Sequence, residues 1–264
     1  MKIAISGKGG TGKSTIGGLL AHYFKNDGFK VLAVDADPDA NLASAIGIPP
    51  EIASSITPIS KQRKLVQERT GARPRQFGQL FKINPVVDDI PDAFCLNFQG
   101  IKLLVLGAVR KGGSGCACPE NVLLRSLLSE IILHRHEVVL VDMEPGIEHL
   151  GRGTAQAIDK MLIIVEPGWR SVSTARSIMK LAKEIGVYSF GIIGNKVHGE
   201  SQEKWLRRQF SPDLWLGAIS YHDLIQQADL KQKPLIKLMN DDLRKEFDLI
   251  YKALRGSSLP PAVQ

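Results

Sequence analysis

The chain has 264 residues, a formal net charge of +7, 44% hydrophobic and 23% charged residues, and three cysteines. These proportions belong to a folded domain and exclude a disordered or collagen-like chain, while three cysteines are too few for a disulfide framework and point to metal or redox chemistry in a reducing compartment. The basic excess is dispersed: its densest stretch, KQRKLVQERTGARPR at 61–75, contains a glutamate and apolar residues and reads first as the solvated face of a helix and loop. Nucleic acid is therefore the less favoured partner.

The first apolar run, KIAIS at 2–6, is too short for a secretory core, and no window reaches the roughly 18 apolar residues of a membrane span. A cytoplasmic protein with no membrane partner is the expectation. KIAIS reads as a strand; GKGGTGKST at 7–15 follows, then the helix-like IGGLLAHYFKNDG ending at Gly28, and KVLAVDAD closes a β-loop-α-β unit. Near-continuous apolar runs recur at IKLLVLG (101–107), EVVLVDM (137–143), KMLIIVEP (160–167), YSFGIIGNKV (188–197) and LWLGAIS (214–220), as expected of strands buried on both faces. Between them ENVLLRSLLSEIILHRH, SVSTARSIMKLAKEIG and ESQEKWLRRQF space their apolar residues three and four apart, as helices do.

The expected fold class is α/β: one domain over 1–264 with a doubly wound, mainly parallel β-sheet of about seven strands flanked by helices. Residues 48–100, with prolines and scattered charges, read as an elaboration that adds helices and an edge hairpin; 255–264 reads as a flexible tail.

GKGGTGKST satisfies the P-loop pattern of glycine, four residues, then Gly-Lys-Ser/Thr. The chemistry requires backbone N–H groups that curl around phosphate oxygens without Cβ clashes and feed a helix N-terminus that favours negative charge. Gly7, Gly9, Gly10 and Gly12 permit the curl, Lys13 would reach the β and γ phosphates of ATP, and the Ser14 hydroxyl would ligate Mg²⁺. Gly9, Gly10, Thr11, Gly12, Lys13, Ser14 and Thr15 form the expected ATP/ADP-binding set. Asp37 lies just past a strand end, facing the same crevice as the P-loop if the strands are neighbours, and a later apolar strand delivers Asp142 at its end. Asp35 and Asp39 stand open between a functional role and that of strand-end or helix-capping acids. Asn195, ending a later strand, has an amide suited to an adenine edge, with an ordinary turn asparagine as the alternative.

Lys8 adds a second lysine inside the loop. KGGTGKS resembles the deviant Walker motif of the MinD, ParA and nitrogenase iron protein class, SIMIBI-type P-loop NTPases, and the resemblance runs over nearly the full length. It implies a two-fold homodimer sandwiching two nucleotides, with Lys8 reaching the partner's phosphates. It also implies that Asp37 orients the attacking water in switch I, that Asn41 is a further switch I position, that Asp142 is the Walker B carboxylate acting on Mg²⁺ through a water, and that Gly146 lets switch II move. The catalytic set is then Lys8, Lys13, Asp37 and Asp142.

Cys116 and Cys118, two residues apart in KGGSGCACPENVLL, cannot close a disulfide without backbone strain but can offer two sulfurs to one metal. A closed soft-metal site wants four ligands, and a two-fold dimer supplies the missing pair; incidental thiols in a flexible loop are the plainer alternative. Cys95 reads as a small buried hydrophobe. Together, the CxC loop, VDADPDANL, DMEPGIEHLGRGT and VEPGWRSVSTA resemble the CooC family, accessory ATPases that help insert nickel into carbon monoxide dehydrogenase. That resemblance implies Ni²⁺ or Zn²⁺ on the shared cysteines, metal binding coupled to dimerisation, and carbon monoxide dehydrogenase as client. Glu148 and His149 read as transient metal ligands or as solvated loop residues, and Arg170 and Ser171 as the opening of a helix near the nucleotide.

Two other functions compete. A partitioning or positioning ATPase leaves the cysteine pair idle, and its membrane-positioning form calls for a basic amphipathic C-terminal helix, whereas DDLRKEFDLIYKALRG is mixed in charge and is accounted for by packing. An iron–sulfur reductase of this class carries a ligand after the Walker B region, where this chain has no cysteine. An iron–sulfur cluster on the CxC pairs stays open.

Overall fold

The computed structural model describes residues 1–73, 79–107, 119–144 and 152–256. In chain order the elements are β1 (Lys2–Gly7), α1 (Lys13–Asn26), β2 (Val31–Asp35), α2 (Leu42–Ile46), α3 (Pro50–Ala53), α4 (Arg63–Thr70), α5 (Ile90–Phe94), β3 (Leu96–Phe98), β4 (Ile101–Val105), α6 (Pro119–His134) and β5 (Val138–Asp142). They continue with α7 (Arg152–Gln156), β6 (Lys160–Val165), α8 (Trp169–Ile185), β7 (Phe190–Val197), α9 (Gly199–Arg207), β8 (Trp215–Ser220), α10 (Asp223–Leu230) and α11 (Asp241–Gly256).

The strands form one sheet in the order β3-β4-β2-β5-β1-β6-β7-β8. Every neighbouring pair is parallel except β3 with β4, a hairpin at the sheet edge. Its two-residue turn, Gln99 and Gly100, takes positive φ at both positions, the twist that matches right-handed strands. The doubly wound parallel sheet expected from the apolar runs is thus present, with β3 as its antiparallel edge. The stretch 48–100 holds α3 to α5 and β3. In α4, Leu65 and Val66 turn inward and most of the charged residues face solvent.

Alternation along the strands divides the core. On one face Ile3 and Ile5 of β1 meet Ile16, Leu20 and Phe24 of α1 and Phe247 and Ile250 of α11. On the other, Ala4 meets Leu123, Leu127 and Ile131 of α6 and Val172, Ala175 and Ile178 of α8. Tyr23 packs on Phe247 and Phe24 on Tyr251 at ring separations of 4.8 and 5.1 Å, so the C-terminal helix is fixed to α1 through its apolar stripe. Against β8 the approach is close enough that a Cβ at Gly217 would stand 2.7 Å from Ile250 Cγ1. No described helix is long and apolar enough to cross a membrane. Cys95 packs against the α6–α8 side of the core, and burial pushes its thiol up to about 12.

Because β2, β5 and β1 are adjacent and parallel, their C-terminal ends open side by side. The register pairs Asp35 directly with Asp142, and Ile5 with Asp142 on the other side. Open α/β sheets bind ligands at such an edge, outside the carboxyl ends of strands.

Candidate nucleotide-binding site

The loop between β1 and α1 is braced from behind by its own carbonyl groups. Lys8 O accepts from the Thr11 amide at 3.2 Å and the Thr11 hydroxyl at 2.8 Å. Gly10 O accepts from Lys196 Nζ at 2.6 Å, and Thr11 O from Asn195 Nδ2 at 2.7 Å. Among the described residues no acceptor takes the N–H groups of Gly9, Gly10 or Gly12, the donors a phosphate would need. Gly12 is held at φ 94°, and a Cβ there would lie 2.4 Å from Asn195 Nδ2; glycine is therefore required twice over, by conformation and by contact. Gly9, Gly10, Gly12, Lys13, Ser14 and Thr15 line a cleft of about 770 Å³, a size suited to a nucleotide.

Lys13, 8% exposed at its side chain, points to Asp37 with 3.5 Å between Nζ and Oδ2. Asp37 sits in a loop held at both ends. Asp35, fully buried at the end of β2, accepts from the Asp37 amide at 3.2 Å and from the Leu42 amide at 2.9 Å, so it caps α2 from across the loop while Asn41 makes no side-chain cap. The Asp39 amide donates to Asp37 Oδ1 at 3.0 Å. Asp35 is thus a structural brace, and Asp39 and Asn41 are exposed at the cleft.

Asp142 is fully buried, and both its oxygens lack a hydrogen-bond partner among the described residues. Burial raises its pKa to about 6 against the pull of nearby Ser14 and Lys13. Burial likewise raises Asp35 to about 7, opposed by its two backbone donors and reinforced by the charge of Asp142. An orphaned buried carboxylate beside a serine hydroxyl fits a hydrated divalent cation, which would take up both lone-pair sets.

These raised values have a signed consequence for the nucleotide-free protein. A carboxyl whose folded pKa lies above its unfolded one gives stability that is complete below about pH 4 and is lost as pH rises through about 6 to 7. Asp142→Asn is therefore expected to raise stability at pH 8 by about 1–3 kcal/mol and to flatten the decline between pH 4 and 7, while abolishing Mg²⁺-dependent nucleotide binding. Urea titrations across that pH range check the first part and nucleotide titrations the second. A destabilised variant at pH 8 would contradict the charge as the source of strain.

Lys8, 41% exposed, lies 3.5 Å from Glu166 Oε1, and Lys196 lies 3.6 Å from Glu166 Oε2. Ser171, buried at the start of α8, accepts from the Glu166 amide at 3.1 Å, which gives that serine a definite task. Asn195 is 4% exposed; besides its bond to Thr11 its Oδ1 accepts from the Lys196 amide at 2.9 Å, so one N–H and one lone pair of the amide are committed to the chain. At the cleft's other end Tyr221 stacks on His198 at 4.8 Å, and Glu246 holds His222 at 3.0 Å and the Ser220 hydroxyl at 2.6 Å.

Sequence reasoning missed Glu166 and Lys196, whereas for Asp35 the geometry selects the strand-end and helix-capping alternative that the sequence left open. Only the position of Lys196 immediately after Asn195, at the end of β7, hinted at a share in the loop. Cys116, Cys118, Gly146, Glu148 and His149 lie outside the described residues. Among the described residues no group of three or more potential metal-ligating side chains occurs.

Residues 2–235 match the CobQ/CobB/MinD/ParA nucleotide binding domain. The chain is 50% identical over 229 residues to the carbon monoxide dehydrogenase accessory protein CooC of Rhodospirillum rubrum, covering 87% of each protein. It is 43% identical over 254 residues to an uncharacterized ATP-binding protein of Methanocaldococcus jannaschii, covering 95% of this chain and 96% of the other. Among solved structures, the septum site-determining protein MinD of Pyrococcus horikoshii, complexed with Mg-ADP, superposes with a TM-score of 0.65 at 19% identity, covering 96% of this chain and 95% of that one. A plasmid partition protein of Borrelia burgdorferi bound to AMPPNP gives 0.68 at 17% identity, covering 97% and 99%. These two structural likenesses speak to the fold.

Proposed function

The chain belongs to the CobQ/CobB/MinD/ParA nucleotide-binding family, and from that premise we propose that it is an ATP-hydrolysing homodimer of the CooC kind, serving nickel insertion into a carbon monoxide dehydrogenase. The observation that carries the reading is the two-lysine P-loop braced beside an orphaned Asp142, in a chain half identical to a CooC protein over most of its length.

ATP enters with its phosphates against the N–H groups of Gly9, Gly10 and Gly12 and the start of α1, with Thr11 and Thr15 completing the loop. The β and γ phosphates compete for Lys13 with Asp37, its partner at 3.5 Å in the nucleotide-free chain. Binding therefore releases the Asp37 carboxylate while the Asp39 amide still holds its other oxygen. The freed carboxylate accepts a hydrogen bond from the water that attacks the γ phosphorus, in line with the departing oxygen of ADP. Ser14 and, through water, Asp142 would hold Mg²⁺, which supplies charge neutralisation across the β and γ phosphates. Lys8 of each protomer reaches the partner's nucleotide and adds positive charge as the γ phosphoryl transfers, so turnover is slow until the dimer closes. The uncommitted N–H and lone pair of Asn195 are assigned to the adenine edge.

Cys116 and Cys118 from both protomers would hold one Ni²⁺ or Zn²⁺ as the cargo site, with four thiolates available only in the assembled pair. The test is elemental analysis across a gel-filtration peak calibrated by light scattering, after nickel or zinc is offered to metal-free protein. About one metal per dimer, with the metal-free chain running as monomer, is expected. Metal-free dimers that take up nothing would turn the reading toward a partitioning ATPase, and a brown dimer holding about four irons toward an iron–sulfur protein.

A further inference from the structure

We infer that Glu166 is a positioning residue that latches Lys8 in the monomer and so opposes dimer closure. The inference rests on the reading of Lys8 as a lysine that acts in trans. Glu166 stands in the turn from β6 to α8, with its backbone tied to buried Ser171 and its two carboxylate oxygens divided between Lys8 and Lys196 at 3.5 and 3.6 Å. Lys196 in turn donates to Gly10 O at 2.6 Å, so a row of positive, negative and positive groups spans the rim of the phosphate loop.

Lys8 cannot lie against its own Glu166 and reach across to a partner's nucleotide at once. Closure must break the Lys8–Glu166 pair, while Lys196 remains to neutralise the carboxylate and to keep hold of the loop. The side chains of Lys8 and Glu166 are 41% and 27% exposed, so the pair is weak and biases the monomer without locking it. The latch keeps the Lys8 ammonium of a lone protomer at the rim, so that hydrolysis waits for the partner.

The dimer dissociation constant of the full chain, free of nickel and zinc and saturated with Mg²⁺ and AMPPNP, tests this by sedimentation. Saturation removes any contribution from nucleotide affinity. Glu166→Gln is expected to tighten the dimer about two- to fivefold, with the gain shrinking at high salt. Glu166→Asp, which keeps the charge but withdraws it from Lys8 by one methylene, is expected to tighten it in the same direction. A Glu166→Gln dimer that is unchanged or weaker would overturn the latch, as would tightening by Glu166→Gln with Glu166→Asp behaving like wild type, since bulk charge would then be the cause. Lys8→Ala, measured alongside, separates the two levels. Unchanged dimerisation in Lys8→Ala overturns the trans-lysine reading and the latch with it; weakened dimerisation without tightening by Glu166→Gln overturns the latch alone.

Discussion

Lys8→Ala is expected to lower ATP turnover about 100- to 1000-fold and to suppress ATP-dependent dimerisation, while leaving the fold and nucleotide binding to the monomer intact. The size follows from removing one preorganised charge at the transferring phosphoryl group. The selectivity follows from position. Lys8 lies partly exposed at the loop rim, and its only close ion-pair partner among the described residues is the less exposed Glu166. The loop's shape depends instead on its backbone carbonyl groups, which are held by Thr11, Asn195 and Lys196. Lys13 contrasts with it, being buried and aimed at Asp37 inside the cleft. Steady-state hydrolysis and light scattering with and without ATP make the comparison, and wild-type behaviour in both would remove the trans lysine from the mechanism.

Replacing Cys116 and Cys118 together by alanine is expected to weaken nickel or zinc binding by more than about a thousandfold and to abolish metal-dependent dimerisation, with nucleotide affinity changed by less than about twofold. On the proposed reading two thiolates per chain would make half a tetrahedral site, so the ion's preference for four would couple metal affinity to assembly. In the proposed reading nucleotide contacts come from the β1–α1 loop and the ends of β2, β5 and β7, and the described bracing of that loop runs through Thr11, Asn195 and Lys196. Equilibrium dialysis against buffered metal, with light scattering, measures both effects. Stoichiometric metal in the double variant would refute the assignment and direct attention to other ligands.

The two variants are complementary because they address the two reasons proposed for a dimer, one at the nucleotide and one at the metal. Lys8→Ala should leave metal-driven association in place, and the cysteine variant should leave ATP-driven association in place. Coupling between nucleotide state and cargo is the property that a nickel-insertion ATPase needs, and the pair of variants separates its halves.

Periodicity and punctuation in the sequence determined the sheet: runs such as VVLVD and KMLIIV are apolar but for one terminal residue, Asp142 and Lys160, because both faces of a central strand are covered by helices. The P-loop was legible for a local reason as well, since glycines that must take positive φ before a helix leave a fixed spacing. Elements with weaker periodicity were less clear, notably α10 and the short helices between 48 and 100, where burial of a few residues against neighbours outweighs local pattern.

Only the tertiary structure decided what the charged residues do to one another. Asp35 and Asp142 become neighbours because β2 pairs with β5 in register, which no spacing of 107 residues along the chain reveals. Glu166 and Lys196 reach the phosphate loop because β6 and β7 stack in order beside β1. Asn195 braces Thr11 from 184 positions away, at the same point where Gly12 can carry no side chain. Local sequence encodes backbone preference and burial, which act over one turn or one strand; hydrogen bonds and ion pairs act between atoms a few ångströms apart, and that proximity exists only once the sheet has ordered its strands.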